Sequence, residues 1–174
     1  AFQKRFFPRE EELAQTVVPF SLGDAPTVLL QCSEQQRNDY LRPAIERQKY
    51  PLVALMEPGG RASADDIQTK AEKKDGHYEL TGEKLTLSRI ADRWFAIVFA
   101  VTDAGAPLRD AVSCFLVDQD TPGSRLTGDV ARTGWEARVR RPALLRLDHC
   151  RGGVEKLLGE EGTAFQLARQ WLPG

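Results

Sequence analysis

The stretch His77-Tyr78-Glu79-Leu80-Thr81-Gly82-Glu83-Lys84, followed by Trp94-Phe95-Ala96-Ile97-Val98-Phe99-Ala100-Val101, decides the fold. Its first part opens after Lys73-Lys74-Asp75-Gly76, a hairpin turn signal, and runs through Leu80 as a strand paired with the alternating segment Ile67 to Ala71. Thr81-Gly82-Glu83 reads as a further turn, after which Lys84 to Ser88 resumes. Trp94 to Val101 is almost continuously apolar, the pattern of a strand buried on both faces. Working outward, Leu52 to Leu55 is an apolar run closed by Glu57-Pro58-Gly59-Gly60. Ala111 to Val117, Arg125-Leu126, Arg138 to Leu147 and Val154 to Leu158 then recur at the roughly 8 to 12 residue intervals of a β-sandwich or barrel.

The two ends read as helical. Ser33-Glu34-Gln35-Gln36 is an S-x-x-Q capping box, and the apolar stripe through Tyr40, Leu41 and Ile45, interrupted by Pro43, predicts one helix of about 10 to 13 residues. Glu10 to Val18 has the composition of another, in a region broken by Pro8, Pro19, Gly23 and Pro26. Ala164, Phe165, Ala168, Trp171 and Leu172 form a stripe on one helical face that stops at Pro173-Gly174. A helix of about ten residues is marginal alone, so the chain reads as a piece of a larger protein. The fold class is therefore mainly β, with short flanking helices at both ends.

Composition excludes several function classes. Lys+Arg at 24 against Asp+Glu at 25 leaves a net charge of −1, with no cationic surplus for sequence-independent binding of nucleic acid or an anionic membrane. No apolar run approaches the roughly 18 to 20 residues of a membrane span, and Ala1 to Pro8 has no signal-peptide apolar region, so the expected location is cytoplasmic. Cys32, Cys114 and Cys150 have no metal-ligand spacing and read as buried reduced thiols.

Local motifs give few alternatives. His149 and Cys150 could form a nucleophile pair, but neighbours on a strand point to opposite faces. Ser63 lacks the G-x-S-x-G context of a nucleophile elbow. Arg138, Arg140, Arg141, Arg146 and Arg151 form the one strongly basic run, read as a solvated strand face, with phosphate or nucleic-acid binding as the competing use.

Taken in order, the motifs say more. Val53-Ala54-Leu55-Met56-Glu57-Pro58-Gly59, the Tyr78-x-Leu80-x-Gly82-x-Lys84 hairpin, Phe115-x-Val117 leading to Thr121-Pro122-Gly123, and Leu157-Leu158-Gly159-Glu160-Glu161-Gly162 with Ala164-Phe165 resemble the acyl-CoA dehydrogenase family. The resemblance covers about residues 27 to 172 and includes Gln36 and Tyr40-Leu41 of the first helix. It implies the family's middle β-barrel domain over 52–158, the end of an N-terminal helical domain over 1–51 and the start of a C-terminal helical domain over 159–174.

The resemblance also implies FAD as cofactor, an acyl-CoA thioester as substrate and oxidation to the 2-enoyl thioester. By residue it places Leu55, Met56 and Ser88 toward the cofactor and Ala62 and Ser63 toward the substrate. Met56 stands where the family has a flavin-bonding threonine, Thr86 where it has a tryptophan against the ring, and Ala62 where it has a serine. The family's catalytic glutamate belongs to the C-terminal bundle, so no catalytic residue is assigned and this chain alone is expected to be inactive. Glu57 is read as structural, bonding backbone in its turn. The expected partners are the remaining helical domains and further copies of the same protein. The alternatives are a non-catalytic interaction scaffold and, on the arginine run, a nucleic-acid-binding relative.

Overall fold

The computed structural model describes residues 27–59, 67–86, 92–128 and 143–169. The expected helix over Glu10 to Val18, the candidate site residues Ala62, Ser63 and Ser88, and Arg138, Arg140 and Arg141 lie outside these residues.

Eight strands make one mixed sheet: β1 (Tyr50–Ala54), β2 (Lys70–Lys74), β3 (His77–Thr86), β4 (Trp94–Val101), β5 (Val112–Asp118), β6 (Ser124–Thr127), β7 (Ala143–Gly153) and β8 (Leu157–Leu158). The order is β6-β7-β3-β2-β4-β5-β8, with β1 beside β4. β1 runs parallel to β4, whereas β2 and β3 form the hairpin predicted at Asp75-Gly76. The sheet is wrapped rather than flat. Tyr78 of β3 and Phe115 of β5 have ring centroids 4.9 Å apart, although β2 and β4 lie between their strands. In a flat sheet three strand spacings, about 14 Å, would separate them.

The alternation of β4 explains why it is apolar throughout. Trp94, Ala96, Val98 and Ala100 enter an inner core with Tyr78, Leu80, Phe115, Leu145 and Leu147. Phe95, Ile97 and Phe99 enter an outer core with Val28, Leu29, Tyr40, Ala44 and Leu167 from the helical ends. Each such buried valine, leucine, isoleucine or phenylalanine contributes about 1.5–3 kcal/mol.

The first helix, α1, spans 34–45. Its capping box forms as expected: Gln36 N donates to Ser33 Oγ and Ser33 N to Gln36 Oε1. Its middle, Arg37–Leu41, widens into a π turn in which Arg42 N bonds Arg37 O. Pro43 follows directly, and its missing N–H and its ring both oppose regular α geometry there. A single turn, α2 (Leu108–Ala111), precedes β5, and α3 (Ala164–Arg169) begins the C-terminal stripe.

Two sequence expectations are corrected. Thr81-Gly82-Glu83 is no turn, because β3 runs unbroken through it. Gly82 is needed there for close approach: a Cβ would lie 2.4 Å from Thr69 Oγ1. Val154 to Leu158 is a 3-10 turn, Val154–Lys156, followed by the two-residue β8. No helix among the described residues is long and apolar enough to cross a membrane.

Candidate functional site

An isolated bridge joins Met56 to Leu85, with Leu85 N donating to Met56 O at 2.7 Å. It sets the Glu57-Pro58-Gly59 turn against the far end of β3, so the turn and Leu85 share one edge. Leu55, Met56 and Leu85 are all half-buried there. Thr86, the next residue of β3, is fully buried opposite Ala143 of β7.

Behind this edge lies a lysine with no exposed surface. Lys84 Nζ donates to Glu57 Oε1 at 2.7 Å and to Leu55 O at 3.2 Å. Glu57 in turn accepts from Gln68 N at 2.8 Å, Thr69 N at 2.9 Å and Thr69 Oγ1 at 2.6 Å. The sequence reading of Glu57 as a backbone-bonding carboxylate holds, but the amides it binds lie across the fold and not in its own turn. Burial alone would raise the Glu57 pKa; Lys84 and the Thr69 donors outweigh it and hold the carboxyl below its ordinary value. Desolvation pushes Lys84 down to about 8 against the pull of Glu57. The alternation of β3 places Lys84 on the face of the buried Tyr78, Leu80 and Thr86, but nothing near it in sequence names Glu57 as its partner.

The other motifs resolve into structural roles. His149 sits in a bulge of β7 with φ 45° and is exposed, while Cys150 is buried, so they form no nucleophile pair. Both histidines lie 3.5 Å from Glu79, on different carboxylate oxygens, and Lys74 and Arg151 share the same group. These partners, Lys74 foremost, hold Glu79 down to about 2. Among the described residues no group of three His, Cys, Asp or Glu could hold a metal ion. Within the arginine run, Arg146 pairs with Glu83 at 2.8 Å and Arg151 with Glu79 at 3.3 Å, as a solvated strand face requires.

The sequence profile of the acyl-CoA dehydrogenase middle domain matches residues 53–138, a span that holds both sides of the Met56–Leu85 edge. The chain belongs to the acyl-CoA dehydrogenase family. It is 32% identical over 142 residues to a mitochondrial isobutyryl-CoA dehydrogenase of Dictyostelium discoideum, covering 82% of this chain and 33% of that one. It is 31% identical over 169 residues to an (R)-benzylsuccinyl-CoA dehydrogenase of Thauera aromatica, covering 89% and 40%. The crystal structure of an acyl-CoA dehydrogenase from Geobacillus kaustophilus superposes with TM-score 0.69 at 25% identity, over 92% of this chain and 40% of that one. The chain thus spans between a third and two fifths of the curated relatives named here.

For an acyl-CoA dehydrogenase domain the edge has a suitable chemistry. Half-buried apolar side chains around a fixed backbone bridge suit the face and rim of a flat conjugated ring. The described part of the edge is poor in hydroxyls, since the Met56 thioether is a weak acceptor and Thr86 is enclosed by the fold.

Proposed function

We propose that this chain is the part of an acyl-CoA dehydrogenase that meets the flavin ring of FAD and forms one wall of the acyl-CoA cleft. In this reading Leu55, Met56 and Ser88 face the cofactor, and Ala62 and Ser63 face the substrate. Residues 1–51, 52–158 and 159–174 belong to successive domains of a longer cytoplasmic, oligomeric protein. The observation that carries the reading is the Met56–Leu85 bridge, which unites the Glu57-Pro58-Gly59 turn and the β3 end in one apolar edge. When bound, FAD supplies the acceptor for the hydride that leaves the β-carbon of the thioester. The chain's residues bind and orient. Lys84 holds the Leu55 carbonyl, Leu85 N holds the Met56 carbonyl, and the apolar side chains exclude water from that rim.

In this reading proton abstraction falls to a part of the relatives' length that this chain does not span. Among the described residues four carboxylates are tied to a lysine: Glu57 to Lys84, Glu79 to Lys74, Asp118 to Lys49 and Glu161 to Lys73. All have pKa values below the ordinary carboxylate range, the opposite of what a general base at neutral pH requires. Met56 in place of a hydroxyl and the enclosed Thr86 favour a second reading, an interaction scaffold that no longer binds flavin.

A titration separates the two. The purified chain should show no stoichiometric absorbance near about 450 nm, the oxidised-flavin band, and should not oxidise acyl-CoA thioesters, yet it should quench the fluorescence of added FAD. Absence of quenching selects the scaffold. A stoichiometrically yellow chain contradicts the need for the further domains.

A further inference from the structure

Gly82 and Lys84, on one face of β3, meet two different members of the cluster around Glu57. Gly82 makes room for Thr69, which sits where a Cβ would otherwise be. Thr69 and Gln68 give two amides and a hydroxyl to Glu57. Lys84, two residues along β3, neutralises Glu57 and takes the Leu55 carbonyl. Three separate segments, Leu55–Glu57, Gln68–Thr69 and the end of β3, are thereby fixed to one another through a single carboxylate and a single ammonium.

Stability alone gives little reason for this arrangement. Lys84 has no exposed surface and lies in register with the fully buried Leu145. Ion pairs so placed are commonly replaced by apolar residues of like volume without loss of stability. What an apolar pair cannot do is bond the Leu55 carbonyl and the Gln68 and Thr69 amides, so the ion pair specifies geometry. That geometry is the backbone of the Leu55–Met56 edge.

Resting on the flavin reading above, we propose that Lys84 and Glu57 are positioning residues for the cofactor edge: they hold Leu55 and Met56 against Leu85 and so set flavin affinity, without touching the flavin. The test uses the whole chain, FAD titrated by fluorescence quenching, and a thermal melt of each sample. The double variant Glu57→Gln/Lys84→Met leaves no unpaired buried charge, so its melting temperature should stay within about 5 °C of the parent. Its FAD dissociation constant should rise about tenfold, a change that a residue serving only stability would not produce in the folded chain. If the double variant does not fold, Glu57→Gln alone replaces it. There Lys84 can shed its proton, and a rise of about threefold is expected. Equal affinity in variant and parent overturns this proposal and leaves the flavin reading standing. No quenching by the parent at up to about millimolar FAD, far weaker than a working cofactor site, overturns both.

Discussion

At Gly82 a methyl group in place of hydrogen would sit 2.4 Å from Thr69 Oγ1 and 2.8 Å from its Cα. One of those contacts is backbone, so a side-chain rotation cannot relieve the clash. Gly82→Ala should therefore cost about 1–3 kcal/mol in urea unfolding, the usual range for overpacking at a rigid contact. Gly76 is the matched control. It meets no atom within 4 Å, and its φ of 73° leaves only the conformational strain of Ala, about 1 kcal/mol. A Gly82→Ala variant no less stable than Gly76→Ala contradicts the close-approach account. The same pair shows where sequence reading stops. Both glycines look like turn signals, and Asp75-Gly76 is one, but no local pattern reveals that Gly82 is required by a residue thirteen positions earlier. The partner of Lys84 is hidden for the same reason, since Glu57 is brought near only by the fold.

The elements at the helical junction were legible in their local part and not in their distant one. Ser33 and Gln36 announce a helix start, and the cap forms. Nothing near Gln36 announces that its amide also donates to Glu155 O and Leu157 O, both at 2.8 Å, locking α1 to the turn before β8. The two carbonyls belong to the 3-10 turn Val154–Lys156 and to the first residue of β8. The end of β5 makes the second lock. Asp118 accepts from Tyr40 Oη at 2.6 Å, Lys49 Nζ at 2.8 Å and Lys156 Nζ at 3.0 Å, and both ammonium groups lie over the Tyr40 ring. Burial raises the Asp118 pKa but these donors outweigh it, bringing the carboxyl from 3.8 to about 2. The sign follows from linkage: a carboxylate with a depressed folded pKa stabilises the fold above its unfolded pKa and loses that contribution as pH falls. Asp118→Asn should cost about 2 kcal/mol at neutral pH. The gap from the parent should close as pH drops from about 4 to about 2. A gap that stays constant with pH in denaturant titrations removes the charge from the explanation.

For the whole molecule, the continuous apolar run of β4 reads as a doubly buried strand and is one, whereas the wrapping of the sheet depends on partners that no single strand discloses. Of the proposed site, Leu55 and Met56 are named by their turn motif in the sequence, whereas the Lys84–Glu57 clamp behind them is not. The cysteines follow from the same two-sided packing. Cys32, Cys114 and Cys150 are at most 4% exposed, and desolvation pushes Cys32 and Cys150 up to about 11 and Cys114 higher still. A thiol reagent at about pH 8, below these values, should therefore modify none of them in the folded chain and all of them after unfolding. Rapid labelling of one thiol without loss of structure is the contrary outcome. β4 also bears on where the protein can be divided. Phe95, Ile97 and Phe99 are covered by residues 28–44 on one flank and by Ala164 and Leu167 on the other. A cut at residue 52 or residue 158 follows the linear sequence but strips one side of this shared wall. It would open a contiguous aromatic and aliphatic face to solvent, the kind of patch through which soluble chains self-associate. The smallest piece that can be handled as a monomer is thus set by the covering of β4 and not by the ends of the sheet.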